Sequence, residues 1–515
     1  MKALKWFTIS VLIFSVWISS SFTTSAAVPP VTYSSPVQVL IQTATGQTSN
    51  LVLNGGYQVI NQDNGQVTTI TPGQTLVFNR TASGLSMIYG RTQFNSVKGF
   101  EVQELPGNLS LASFIRATDM RKGATSAYEV VQSIPSGENG TFTQSFTNAQ
   151  GEEWLNVTVN GKSGWVLKSA VQQFTTTSNP LITVSKNNRQ YRGSFTVRPN
   201  GQNVEFINKL SMENYLKGVV PSEMPASWHT EALKAQAIAA RTYAFKRTGS
   251  ILSSSTSSQV YQGFTHENAR TNAAIEQTNG LLIRYNGQPI EAYFHSTSGG
   301  KTANVGDVWR SNQASFPYLV SVDSPDENAT RSNWTETFDS ATILKSFGYN
   351  SSVVLEDVIL NRKGANNEVG SVTVVTSAGS KTLGDNENQV RQLFPLDAPF
   401  YYLYSSWFDM KVNRSNSGFN VMTPTGTVTV EGLTKYDVRL PSSVSKLTSN
   451  SPKVQTNSGV VTLQGETGVT SVELTGKGWG HRIGMSQYGA KAYAEKGWTA
   501  EQILKHYYRG TTISK

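Results

Sequence analysis

Chemistry in this chain is confined to a few side chains. Residues 221–225 read Pro-Ser-Glu-Met-Pro, which sets Glu223 in a loop held by two prolines. A carboxylic acid exchanges protons usefully near neutral pH only when its surroundings raise its pKa. Val220, Met224 and Trp228 are the apolar neighbours able to build such a pocket; the plainer role for Glu223 is a cap or ion pair for the next helix. His295 and Ser296 open the run His-Ser-Thr-Ser-Gly-Gly, and His481 ends Gly-Lys-Gly-Trp-Gly-His. Glycine-flanked turns let backbone approach a ligand closely, so these three residues are candidates to line a cleft, with hydrogen bonding inside the loops as the alternative. Gln236 and Arg241 lie five residues apart in an Ala-rich run, about 140° around a helix. They do not both share one face with Lys234, so the reading is that one or two of these side chains reach the cleft while the others sit in structural bonds. Gln487 and Tyr488 are candidates of the same kind. His229 and His506 read as structural or exposed, and His266 has no context. Glu223 with His295 and His481 contains the donor types of a zinc site, but no short ligand spacing supports one, and neither metal nor cofactor is assigned. A serine hydrolase built on Ser296 or Ser298 with His481 lacks the G-x-S-x-G elbow.

The elements that must position these groups follow from local signals. Ser211 reads as the N-cap of a short helix through Leu216, which Gly218 and Pro221 end. Residues 231–246, EALKAQAIAARTYAFK, are rich in the best helix formers and read as the central buried helix. Residues 253–258 are nearly all Ser and Thr and read as an exposed loop. Asn286-Gly287 marks a hairpin between strands 281–285 and 290–294, the second of which delivers His295. Residues 353–475 are β-rich. A helix is expected over 485–496, and Thr499 with Gln502 forms a capping box for a last helix through Tyr508, closed by Gly510.

The chain has 515 residues, 38% hydrophobic and 15% charged, with 43 glycines and no cysteine. Such a composition points to an α+β, β-rich protein of several units and excludes disulfides, thiolate metal sites and a cysteine nucleophile. Residues 1–27 combine Lys2 and Lys5, an apolar stretch over 6–18 and a Ser-Ala-Ala ending, the pattern of a secretory signal peptide. Export makes nucleic acid an improbable target for the net charge of +9 and suits a secreted protein on the anionic wall of a Gram-positive bacterium. Short β-branched runs separated by Gly and Asn give a small β module over 28–105. A second follows over 106–174, where Asn160-Gly161 signals a hairpin, and its spacing resembles bacterial SH3-like domains, which often bind wall material. A polar linker over 175–186 leads to the domain 187–515.

Three ordered segments in that domain, MENYLKGVVPSEMPASWHTEALKAQAIAARTYAF at 212–245, AYFHSTSGGKTA at 292–303 and GKGWGHRIGMSQYGAKAYAEKG at 476–497, resemble the stage II sporulation protein D and amidase-enhancer family. Arg391-Gln392-Leu393 and Ser406-Trp407-Phe408 also resemble family positions, and 425–460 looks like an insertion. What the resemblance implies is action on peptidoglycan. Its sporulation members are lytic transglycosylases that cut glycan strands stripped of peptides, and others modify a wall amidase. The family's catalytic glutamate falls on Glu223. Members that bind zinc do so with cysteines, which this chain lacks, so packing must hold the loop at 259–261. Ordinary glycosidases need two carboxylates. A transglycosylase manages with one, because the C6 hydroxyl of muramic acid attacks its own anomeric carbon and leaves a 1,6-anhydro end. Gln236, Arg241, His295, Ser296, His481, Gln487 and Tyr488 would then hold the sugar, and the partners expected are peptidoglycan glycan strands and, in the enhancer role, an N-acetylmuramoyl-L-alanine amidase. The other function in view is a wall-binding enhancer of that amidase with no catalysis of its own.

Overall fold

The computed structural model describes residues 35–515 except 46–47, 415–418, 431–432, 440–441, 449–452, 458 and 463–467, so the expected signal peptide lies outside the described residues. Strand outweighs helix, 42% against 18%, which makes the chain β-rich α+β as its composition indicates. Among the described residues no helix is long and apolar enough to cross a membrane.

Two sheets face each other at the amino-terminal end. One has seven strands, with Val37–Thr45 next to Asn203–Leu210, then Ser194–Asn200, Phe100–Glu104, Tyr57–Asn61 and Val67–Ile70, and with Ile251–Ser253 on the other edge. The second has six and includes Ser49–Asn54, Gln74–Arg80 and Leu181–Val184. Strict alternation buries Ser49, Leu51 and Leu53 along one strand, as a half-buried strand requires. Phe78 meets Phe206 edge to face at 5.7 Å, and the same core continues into Tyr215, Leu216 and Val219 and on to Ala237 and Ala240. The expected boundary between a module at 28–105 and a domain starting at 187 is therefore not a boundary in the fold. Val37 pairs with Leu210 and Thr45 with Asn203, a pairing between distant segments that no local pattern announces.

Residues 110–175 do form a self-contained unit. Its seven-stranded sheet encloses a core of Phe114, Met120, Leu155, Val157 and Val166. Asn160 and Gly161 both take positive φ, 49° and 78°, as a two-residue hairpin turn demands. The unit is inserted between Phe100–Glu104 and Leu181–Val184, and Asn139 ties it to its host by donating to the Thr69 carbonyl and to the Tyr89 hydroxyl.

Three helices follow, α1 (Met212–Glu223), α2 (Thr230–Phe245) and α3 (Ala269–Gln277). Ser211 caps α1 as expected, but the helix runs past both Gly218 and Pro221, and Glu223 is its last residue rather than part of a loop. Pro221 lacks the N–H that would bond the Lys217 carbonyl, a small loss in a last turn, and the Ser222 hydroxyl donates to the Gly218 carbonyl. Gly218 is small for a packing reason: a Cβ there would sit 2.5 Å from the Tyr261 ring. Almost every residue from Ala232 to Ala244 of α2 is buried. A short α4 (Val305–Val308) comes next. Then α5 (Ser340–Ser346), two three-stranded sheets and α6 (Glu387–Gln392) surround a core of Trp334, Phe338, Val372, Phe394 and Leu474.

The chain returns to α2 through α7 (Gln487–Glu495) and α8 (Ala500–Tyr507), the latter with the expected Thr499–Gln502 capping box. The Asn286-Gly287 turn is present, yet its second strand lasts only through Gln288–Pro289. Phe294–His295 instead pairs in parallel with Met485–Ser486. That short pairing brings two of the three chemistry-bearing segments side by side.

Candidate active site

A cavity of about 430 Å³, within the size range of small-molecule sites, opens where α1, α7, α6 and the two glycine-rich turns converge. Glu223 lines it from the end of α1, together with Tyr243, Tyr293, His295, Ser296, Trp309, Trp479, His481 and Gln487. The Val260 N–H donates to Glu223 Oε1 at 2.8 Å and the Gln487 amide to Oε2 at 3.1 Å. Burial nevertheless prevails over both donors and raises the carboxyl above its ordinary range. Glu223 is the only carboxylate among the described residues that line this cavity.

The loop that supplies Val260 is held by hydrogen bonds as well as packing. Tyr215 donates to Gln259 Oε1 at 3.0 Å, the Gln259 amide donates to the Ala240 carbonyl at 3.3 Å, and Tyr261 donates to Asn208 at 2.8 Å. Tyr215 and Tyr261 pack with ring centroids 5.2 Å apart.

The two histidines stand 5.6 Å apart, centroid to centroid. His295 Nδ1 meets the Ile483 carbonyl at 3.2 Å and so carries the proton of the neutral ring. Its Nε2 is buried and has no partner among the described residues. His481 Nδ1 accepts the Ile483 N–H at 3.1 Å, which leaves its proton on Nε2. Burial pushes His481 down to about 4 and His295 well below its ordinary value, His481 adding to the second effect. Both rings are therefore neutral at ordinary growth pH. Trp309 and Tyr293 flank His481 at 5.1 and 6.3 Å.

Two buried ions shape the turns. Asp326 accepts from the backbone of Ser298 and Gly300 at 2.7 and 2.9 Å, and from the hydroxyls of Ser298, Ser324 and Ser486. Arg482, held at φ +63°, pairs with Glu368 at 3.2 Å and donates to the carbonyls of Ser298 and Lys301. These bonds lock the His295 turn to the His481 turn.

With this geometry in place, relatives become informative. A family described as Stage II sporulation protein matches residues 200–285, which hold α1, α2 and the loop to Glu223. Stage II sporulation protein D of Bacillus subtilis (strain 168) is 30% identical over 331 residues, 60% of this chain and 76% of that protein. The chain belongs to the stage II sporulation protein D family. It is also 34% identical over 315 residues to the amidase enhancer of the same organism, spanning 58% of this chain but only 40% of that protein's length. NlpC2 from Trichomonas vaginalis, a solved structure, covers 25% of the chain at 10% identity and a TM-score of 0.11, too slight a likeness to bear on the fold.

Within this family member, the expected site residues divide into three groups. Glu223, His295, Ser296, His481 and Gln487 meet at the cavity. Arg241, expected to reach the cleft, is fully buried away from it: it pairs with Glu213 through two bonds of 2.9 and 2.8 Å and reaches the carbonyls of Ile275 and Leu281. Its place on the inner face of α2 makes it the bolt between α1, α2 and α3. Gln236, on the same helix, is also fully buried and away from the cavity, with neither amide atom partnered among the described residues. Tyr488 lies beside the cavity and packs on Trp228 at 4.8 Å. Asp307 and Asp323, the other acids that a two-carboxylate mechanism would call on, are not in the cavity wall; Asp323 is 81% exposed.

Sequence reasoning missed the rim at Thr256, Ser257 and Ser258, read only as an exposed loop, and the aromatic wall of Tyr243, Tyr293, Trp309 and Tyr402. Trp309 and Tyr293 carried a signal, large aromatics close to the His295 turn. Asp326, 30 residues beyond Ser296 in the chain, carried none.

Proposed function

We propose that this protein cleaves peptidoglycan glycan strands as a lytic transglycosylase, with Glu223 as the single acid and base. The observation that carries the reading is one enclosed carboxylate, raised in pKa, in a cavity whose described wall holds no second acid. In the proposed reaction Glu223 gives its proton to the glycosidic oxygen as the bond from C1 of muramic acid breaks. The C6 hydroxyl oxygen of the same sugar then bonds to C1, and its proton returns to Glu223. No water is consumed, so a second carboxylate is not needed. Gln487 and Val260 orient the carboxyl, and their N–H groups stabilise the anion formed midway. The bare Nε2 of His295 accepts a sugar hydroxyl, while Trp309 and Tyr293 offer flat apolar surface to a pyranose face.

Family membership and the matching turns support this reading, as does secretion to a Gram-positive wall, which we propose from the amino-terminal pattern. The inserted unit 110–175 is proposed to hold wall material in an SH3-like manner. A second reading draws on the 34% identity to a protein named amidase enhancer: the cavity grips glycan without cutting it and the protein stimulates a separate amidase. Mass spectrometry of products from purified, peptide-free glycan separates the two. The first reading gives 1,6-anhydro ends with no oxygen from labelled water. Reducing ends carrying that label contradict it, and an intact glycan favours the enhancer.

A further inference from the structure

The described cavity wall holds one permanent cation, Arg391 at the end of α6. Its guanidinium is fixed from behind. Nη1 donates to Glu387 at 2.5 Å, Nε donates to the Leu403 carbonyl at 2.6 Å, and the group lies 4.7 Å from the centre of the Tyr402 ring. Glu387 is not among the lining residues, whereas Tyr402 is. The ion pair therefore presents its positive end to the cavity, and the remaining nitrogen, Nη2, has no acceptor among the described residues. Arg391 is 12% exposed and Glu387 5%, so the charge is poorly hydrated and interacts strongly with a ligand. Apart from its partner Glu387, which lies behind it, the described cavity wall carries no other permanent charge: burial disfavours the charged form of both histidines, and Glu223 must be protonated to start the proposed reaction.

Resting on the proposed action on glycan, we infer that Arg391 binds the lactyl carboxylate of a peptide-free muramic acid residue. That carboxylate exists only after the stem peptide is removed, since the peptide is joined to it as an amide. Amide linkage deletes the negative charge and adds bulk at the same point. A guanidinium with one free edge against an enclosed wall thus reads the presence or absence of the peptide, and makes Arg391 a specificity-determining residue of the cavity.

Calorimetric binding to the full chain carrying Glu223→Gln, chosen because its cleavage is expected to be at least two decades slower, tests the assignment. Three glycan fragments of equal length are compared: with free lactyl carboxylates, with those groups converted to methylamides, and with stem peptides. A charged hydrogen bond in an enclosed site is worth about ten- to a hundredfold in affinity, so the free acid should bind tighter than the methylamide by that factor. Adding Arg391→Gln together with Glu387→Gln, which avoids stranding a buried carboxylate, should bring the ratio to about one. Arg391→Lys should keep part of it. Equal binding of acid and methylamide, a ratio that survives the double substitution, or no binding of any fragment overturns the inference. Tightest binding of the peptide-bearing fragment also overturns it, because the carboxylate read would then be the peptide's. Should the unaltered protein fail to cut glycan while the Arg391-dependent ratio holds, the catalytic reading fails and this one stands.

Discussion

A carboxyl group that protonates a glycosidic oxygen must reach it still protonated, and the setting of Glu223 has a consequence for stability. Its pKa in the fold lies above the ordinary 4.5. As pH rises, the unfolded chain releases this proton first, so the folded state binds more protons in that window and loses stability through it. Glutamine has no such proton. The melting temperature of Glu223→Gln relative to the parent should therefore rise as pH rises above about 4.5; a difference that does not move with pH contradicts the enclosed setting. His481 acts on the acid side. Its pKa is depressed from 6.5 to about 4, so below pH 6.5 the unfolded chain takes up a proton that the fold refuses. Stability should fall between those values and level off below, by up to about 3 kcal/mol. His295, also depressed, adds to the same slope. Denaturant titrations of the parent and of His481→Gln across pH 4–7 check this, with a shallower acid slope expected for the variant.

Elements place these groups through contacts that punctuation in the sequence disguises. Gly218 and Pro221 read as the end of α1, because isolated Gly and Pro usually stop helices. Here Gly218 makes room for Tyr261 and Pro221 sits where a missing N–H matters least. The α2 helix and the capping box of α8 were legible because composition and caps are local properties. Residues 290–294 read as the second strand of the Asn286-Gly287 hairpin, yet His295 is positioned by a partner almost 190 residues away. Gly218→Ala would drive a methyl into the Tyr261 ring and, through it, shift Val260. Overpacking of this kind typically destabilises by about 1–3 kcal/mol. The expected outcome is that loss of stability in a denaturant titration, with glycan cleavage reduced more than glycan binding because the Val260 N–H leaves Glu223. An alanine variant as stable and active as the parent would mean that the loop is not fixed by this contact.

At the scale of the whole molecule, the strands of 110–175 pair with one another, whereas several of those that precede them pair with distant segments. The insert was legible because its strands pair with one another. Residues 37–104 were not, because their partners lie at 181–210 and 251–253. Deleting residues 28–105 should therefore expose the core shared with α1 and α2 and abolish cooperative unfolding of the remainder, as followed by circular dichroism. Excising 108–177 should not. Gly107 and Ser178 already touch, with a Cβ at Gly107 falling 3.1 Å from the Ser178 backbone, so a short link can close the gap. The excised protein should fold, keep cleavage of soluble glycan and bind isolated walls more weakly. Unchanged wall affinity would make the insert a spacer, and a cooperative fold after loss of 28–105 would refute the shared core.

The central claim is that Glu223 is the acid and base of glycan cleavage. Single-turnover cleavage of peptide-free glycan by the full chain and by Glu223→Gln measures this most directly. Positioned acid–base catalysis contributes about 10²–10⁴-fold, so the variant should bind glycan with similar affinity yet cleave it at least two decades more slowly, the parent alone yielding 1,6-anhydro ends. Equal rates in the two proteins would contradict the claim.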